Sequence, residues 1–221
     1  MNAFYRRVLG PHLSGRKDTR VLDVGCGGGY ALMALRELGY TNLAGVESDA
    51  GQVASCAAKG LGVAQVADTA AFLRSRAGSY DLLLCLDVIE HIPHGEQLPF
   101  AAALAAALAP GGTLVCSVPN ANSTLAGRWR YNDWTHHGSF TEHSLDLLLH
   151  SAGFADITVG EVEFHTRPVN WWLPFLGGAR HWWALRFFRA WRRLEVMAEL
   201  GPQEGRSVPL SLNLLAVARK L

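Results

Sequence analysis

The sequence predicts an α/β fold, a mostly parallel sheet with helices on both faces. Three observations carry that prediction. Short apolar runs alternate with helix-period segments from Arg20 to Pro119, the pattern of βαβ units. A glycine-rich loop follows the first run directly. An acid then stands at each of the first four strand ends: Asp23, Glu47, Asp68 and Asp87.

The elements follow in order. "RVLDVG" (20–25) reads as a buried strand, and "YALMALRELG" (30–39) as a helix stopped by Gly39. "NLAGVE" (42–47) is a second strand, followed by a helix that ends at Gly60. "GVAQVAD" (62–68) is a third strand and "TAAFLRSR" its helix. "YDLLLCLDVI" (80–89) is the fourth strand. An alanine-rich helix follows, closed by Pro110 and Gly111, and "TLVCSVP" (113–119) is the fifth strand. Beyond it, "RYNDWTHHGSFTEHSL" (130–145) breaks any period of 2 or 3.6. A helix capped by Thr141 and stopped by Gly153 comes next. The strand "ADITVGEVEF", a segment dense in tryptophan and arginine (170–193) and a closing strand "SLNLLAVARK" complete the chain.

Composition excludes several classes. With 221 residues, 49% apolar and 18% charged, the chain is globular. At this length folding hides roughly 70% of the extended-chain surface. A net charge of +1 asks for no nucleic-acid partner. No apolar run reaches the roughly 18 residues that span a bilayer, and the first residues lack the apolar core of a signal peptide. A cytoplasmic protein is expected. Cys26, Cys56, Cys85 and Cys116 show no metal-ligand spacing, so neither disulfides nor a metal site is expected.

"VLDVGCGGGY" carries the first chemical signal. Gly25, Gly27 and Gly29 allow a sharp turn and a close approach of ligand to backbone. A dinucleotide loop would want glycine where Tyr30 stands. Asp23 repels a pyrophosphate and welcomes an ammonium or a sulfonium. Glu47, about twenty residues on, stands where nucleotide folds hold ribose hydroxyls. Asp68 stands where an acid can accept from an adenine amino group.

These residues resemble the class I S-adenosylmethionine-dependent methyltransferases. "VLDVGCGGG", "GVESD", "YDLLLCLDVIEHI" and "LAPGGTLVCSVPN" are similar to that family's motifs, in order and spacing, over residues 20–120. The resemblance implies a Rossmann-like, doubly wound sheet of seven strands, mostly parallel with an antiparallel last strand. It implies S-adenosyl-L-methionine as methyl donor. Gly25, Cys26, Gly27 and Gly29, beside Asp23, would line the donor's methionine portion. Glu47 with Ser48 would hold the ribose. Asp68 and Thr69 would lie by the adenine, and Leu86, Asp87 and His91 at the methyl-transfer opening. A single domain over 1–221 is expected, with an aromatic and basic helical insertion at about 168–200.

A narrower resemblance covers residues 117–154. It is to bacterial methyltransferases associated with surface-polysaccharide biosynthesis, through Pro119–Asn120, Arg130–Tyr131, Asp133–Trp134–Thr135–His136 and Phe140–Thr141. It implies an O-methyltransferase acting on a sugar or lipid-linked glycan hydroxyl. The alternative is a small-molecule O-methyltransferase on a quinone-like or phenolic acceptor. A donor-binding, non-catalytic partner is a third reading, which the acids argue against. Such an acceptor hydroxyl gains from a base that takes its proton. His136 is the first candidate and His137 the second, with Asp133 orienting the imidazole, and with Trp129, Tyr131 and Trp134 as an aromatic wall. On a helix over 182–197, Trp183, Phe187, Phe188, Trp191 and Leu194 share one face and Arg186, Arg189 and Arg193 the other. That face suits a membrane interface, a homodimer contact or packing on the sheet. Residues 170–178 suit a lid over the pocket.

Overall fold

The computed structural model describes residues 2–162, 172–173 and 177–221. One seven-stranded sheet organises them, in the order β3-β2-β1-β4-β5-β7-β6. The strands are β1 (Val21–Val24), β2 (Leu43–Glu47), β3 (Val63–Gln65), β4 (Tyr80–Leu86), β5 (Leu108–Pro119), β6 (Phe154–Glu161) and β7 (Asn213–Lys220). β3 to β5 pair in parallel, while β7 runs antiparallel to both β5 and β6. This is the predicted doubly wound, Rossmann-like sheet with its antiparallel last strand.

The sequence forces both faces to be covered. Along β4, Leu82 and Leu84 turn to one side and Leu83 and Cys85 to the other, and all four are buried. Helices α1 (Asn2–Leu9) and α2 (Tyr30–Glu37) receive the first pair through Leu9 and Leu35. Helices α4 (Thr69–Ser75), α5 (His94–Ala107) and α7 (Glu142–Ser151) receive the second through Leu73, Leu104 and Leu149. Between them, α3 (Ala50–Ala58) packs Cys56 on Leu32 and Leu61. Fully buried side chains of this size contribute roughly 1.5–3 kcal/mol each, so the two layers hold the strand ends rigidly in register.

Local signals set most boundaries. Asp49 caps α3 by accepting from the Gln52 amide at 2.8 Å. Thr141 caps α7 within a reciprocal capping box with Ser144, and Gly153 follows at a φ of +93°. Three boundaries differ from expectation. The alanine-rich helix ends at Ala107, and Pro110 and Gly111 fall within β5. There Tyr80 pairs with Leu108 but Leu82 pairs with Thr113, so the intervening residues of β5 bulge. β3 stops at Gln65, three residues short of Asp68. The aperiodic stretch opens in a short helix, α6 (Ala126–Asn132).

The tryptophan–arginine segment forms α8 (Gly177–Leu200), followed by α9 (Pro202–Ser207). Arg193 donates to the carbonyls of Gly205, at 2.7 Å, and of Val208, and pairs with Glu161 at 3.8 Å. Arg193 therefore faces the domain, while Arg180 and Arg186 are exposed. The aromatic side faces outward: Trp183, Phe187, Phe188, Trp191 and Leu194 are all exposed, Trp191 at 66%. Among the described residues, packing of that face on the sheet is not what the chain adopts. The expected lid at 170–178 and the end of the strand at 163–164 lie largely outside the described residues. No described helix is long and apolar enough to cross a membrane.

Candidate active site

The site begins where β1 turns into α2. Gly25 adopts a φ of +66°, and a Cβ there would lie 2.7 Å from Val88 Cγ2. Gly29 adopts +74° and would place a Cβ 2.4 Å from Leu61 Cδ1. Both positions combine left-handed backbone with no room, so glycine is required. The turn is tied to the next strand by main-chain bonds: the amides of Gly25 and Cys26 donate to the Val46 carbonyl at 2.9 and 3.1 Å. Glu47 continues the tie. Its Oε2 accepts from the Gly27 amide at 2.8 Å, and its Oε1 accepts from Ser48 N at 2.7 Å and Asp49 N at 3.0 Å. A carboxylate held by three amides is fixed in place and keeps lone pairs for hydroxyl donors.

Asp23 sits beneath this loop, only 2% exposed. Burial, and then the neighbouring Glu47 charge, push its carboxyl up to about 7. A cation brought close would restore the ionised form. Cys26 sets its thiol 3.8 Å from the Gly27 carbonyl and against the apolar cluster of Leu32 and Cys56.

In front of the loop lies a cleft of about 820 Å³ at the carboxyl ends of the strands, the place where open parallel sheets bind ligands. Gly25, Glu47 and Ser48 line one end. Asp68, Thr69 and Arg74 line the wall, and Asp87, His91 and Thr135 the other end. Asp68 serves as the N-cap of α4, accepting from the Ala71 amide at 2.8 Å. It borders the cleft as a helix cap, not as a strand end. Leu86 turns to a small apolar hollow beside Tyr5 and Leu215, which also reaches Asp87.

Asp87 has a φ of +56°, rare for a residue with a side chain. Its backbone is held by its own amide on the Ser117 carbonyl at 3.0 Å. Its Oδ1 accepts from Ser117 Oγ at 2.9 Å and Asn213 Nδ2 at 2.7 Å. Crowding by protein atoms raises its pKa; the two hydrogen bonds and the nearby His91 and His136 pull the other way.

The acceptor side is assembled from two distant pieces. A 3₁₀ turn, Ile89–His91, follows β4. The loop after α6 folds onto it, and the His137 amide donates to the Glu90 carbonyl at 2.7 Å. Three side chains then form a chain. Thr135 Oγ1 donates to Asp133 Oδ1 at 2.7 Å, and His91 Nδ1 lies 2.6 Å from Thr135 Oγ1. The threonine proton is already committed to the carboxylate, so His91 Nδ1 must be the donor. That fixes the tautomer and leaves Nε2 as an acceptor. Burial, and then His136, hold the His91 pKa below its ordinary value, so the ring is neutral at pH 7. His136 Nδ1 lies 2.9 Å from the Trp129 carbonyl, which can only accept, so its free nitrogen is also Nε2. Glu90 is 1% exposed, and burial, then Asp87, push its carboxyl up to about 8.

The geometry thus gives the predicted residues different places. His91 reaches the cleft. His136 stands behind it, its ring edge-on to His91 with centroids 4.6 Å apart. Asp133 lies 4.0 Å from His136 Nε2 and acts on His91 through Thr135. His137 is exposed and contributes its amide. Tyr131 and Trp134 point to solvent, Trp134 at 98% exposure, and form no wall. Sequence reasoning gave no role to Thr135, Glu90, Ser117 or Asn213. Thr135 lay inside the quoted Asp-x-Thr-His stretch, and Glu90 beside His91; the other two carried no signal.

Comparisons with known proteins agree with the fold. A family model described as a methyltransferase domain matches residues 1–159. A ubiquinone biosynthesis O-methyltransferase of Dinoroseobacter shibae is 28% identical over 170 residues, covering 70% of this chain and 67% of that protein. The enzyme of the same name from Erwinia tasmaniensis is 33% identical over 52% of this chain and 48% of its own length. That from Xanthomonas campestris pv. campestris is 37% identical over 46% and 43%. The chain thus spans about half the length of the last two. Among solved structures, a SAM-dependent methyltransferase from Archaeoglobus fulgidus superposes with a TM-score of 0.70 at 20% identity, covering 99% of this chain and 92% of that one. A Haemonchus contortus phosphoethanolamine N-methyltransferase, in complex with S-adenosylhomocysteine, gives 0.65 at 14% identity over 98% and 52%.

Proposed function

The chain belongs to the methyltransferase-domain family, and on that premise we propose that it moves the methyl group of S-adenosyl-L-methionine to a hydroxyl of a small quinone-like or phenolic acceptor. The donor lies across the cleft from Gly25 to Asp87. Glu47 takes the ribose hydroxyls, Asp23 favours the cationic end of the molecule, and Asp68 and Thr69 border the base. The names of the curated relatives favour a quinone-like acceptor over a sugar or lipid-linked glycan.

One observation carries the acceptor side: the Asp133–Thr135–His91 chain ends at the cleft with an imidazole nitrogen free to accept. The acceptor oxygen attacks the sulfonium methyl in line while its proton passes to His91 Nε2. The methyl–sulfur electron pair leaves with sulfur, which becomes a neutral thioether. Positioning supplies much of the acceleration, and a base contributes roughly 10²–10⁴-fold. The outward aromatic face of α8, flanked by Arg180 and Arg186, suits an acceptor dissolved in an anionic bilayer.

The test is transfer of labelled methyl from the donor to a panel of hydroxylated quinones, phenols and sugars. Methylation of the quinone-like or phenolic members is expected. Transfer to sugars alone would restore the glycan reading.

A further inference from the structure

The small hollow beside Leu86 meets the cleft at Asp87, which lines both. One end of it is polar. Ser117 and Asn213, from β5 and β7, hold Asp87 Oδ1 at 2.9 and 2.7 Å. Both bonds fall on Oδ1, which leaves Oδ2 open to a ligand. The walls are apolar: Val8 and the Tyr5 ring from α1, Leu86 and Leu215 from the sheet. The space is about 30 Å³, room for a methyl-sized group and not for a ring.

Tyr5, Val8 and Leu9 lie at i, i+3 and i+4, so one side of α1 carries all three. Leu9 is fully buried beside Leu35 and anchors that side. Packing alone would be served by phenylalanine at position 5. Among the described residues the Tyr5 hydroxyl makes no hydrogen bond. Burial, and then the charges of Asp23 and Asp87, raise its pKa above the ordinary value. The phenol therefore keeps its proton and remains a donor within the field of those two acids.

We propose that the hollow takes a small apolar substituent of the methyl acceptor and that the Tyr5 hydroxyl donates to an oxygen of the same molecule, so that α1 sets acceptor specificity. This rests on the methyl-transfer reading. Asp87 joins the hollow to the cleft, so its occupant is part of a molecule lying in the cleft. The donor's charged amino-acid end, ribose and base are polar and do not suit an apolar space of this size. An alkyl group on a phenolic or quinone-like ring does. Proton transfer stays with His91; Tyr5 only orients the ring.

The experiment compares phenols and hydroxylated quinones with and without one ring methyl, using the full chain. The parent should favour the methyl-bearing member by roughly tenfold or more in kcat/KM. Val8→Phe, which fills the hollow, should erase that preference. Val8→Ala, which enlarges it, should move the preference to a ring ethyl. Tyr5→Phe should raise the acceptor KM by roughly two- to tenfold, with kcat little changed. Donor affinity should hold in all three, and melting curves check that each is folded. Folded Val8 variants that keep the parent's preference overturn the hollow, and an unchanged KM in Tyr5→Phe removes its hydroxyl from the acceptor. Calorimetry of the same phenols in the presence of S-adenosylhomocysteine keeps the two readings apart. Methyl transfer with no preference in turnover or binding removes the hollow and leaves the methyltransferase. Methyl-selective binding that Val8→Phe abolishes, without transfer to any acceptor, keeps the hollow and removes the proposed reaction.

Discussion

The two ends of the cleft are built differently. At the donor end, Gly25, Gly27, Glu47 and Ser48 are joined largely through main-chain amides, and the turn lies within two adjacent βα units. At the acceptor end, His91 meets Thr135 from 44 residues away and Asp87 meets Asn213 from 126 residues away, in each case through side chains. A main-chain frame tolerates many neighbours but needs glycine at fixed points. A side-chain frame depends on each partner, so single substitutions there should strike catalysis while leaving donor binding in place.

The largest expected effect breaks the acceptor end. His91→Asn should lower turnover by roughly 10²–10⁴-fold, while calorimetry finds donor affinity little changed. A comparable loss of donor affinity would mean that the two ends are not separable.

Asp23 tests the donor end through pH. Its carboxyl stands at about 7 in the folded protein, against about 3.9 when unfolded. The native state therefore keeps a proton that the unfolded chain gives up, and stability falls as pH rises from about 4 to 7. The fall should be on the order of a few kcal/mol. Asp23→Asn should make the fall shallower in denaturant titrations of the donor-free protein, the buried Glu90 and Asp87 contributing the remainder in the same direction. A parent protein whose stability rises over that window would contradict the assignment.

Glu47→Ala should weaken donor binding by roughly 1.5–3 kcal/mol, the scale of charged hydrogen bonds. Turnover at saturating donor should change little. Unchanged affinity would remove Glu47 from the ribose and leave it a purely structural tie for the Gly27 amide.

The smallest effect lies on α8, outside both ends. Vesicles containing anionic lipid should co-sediment with the protein, and salt should release it. Arg180→Gln and Arg186→Gln should each weaken this by about 1 kcal/mol. Melting temperatures should hold, because exposed charges contribute little to stability. Concentration-dependent self-association with no vesicle binding would make the aromatic face a contact between two copies.

How much of this was legible follows the same division. The glycine loop, the alternating strands and Glu47 were readable because their causes are local: a left-handed turn needs glycine, a doubly covered sheet needs continuous apolar runs, and an acid one strand along faces the same edge. Asp68 was located in the cleft but not as a helix cap, since β3 stops early and the cap is chosen by where α4 begins. His136 stood out in the sequence for its motif, yet His91 reaches the cleft. Tyr131 and Trp134 read as a pocket wall and point to solvent.

By itself the sequence determined the sheet, its helices, the strand edge that binds and the acids set along it, because each depends on residues a few positions apart. Only the tertiary structure decided which histidine faces the cleft, that Thr135 joins Asp133 to it, that one carboxyl oxygen of the buried Glu90 has no donor among the described residues, and that α8 turns Arg193 inward and its aromatics out. The physical reason is that periodicity shows that a helix has two faces without saying which one meets the protein. A side-chain contact across 44 or 126 residues is fixed by the packing of whole elements and leaves no trace in local spacing.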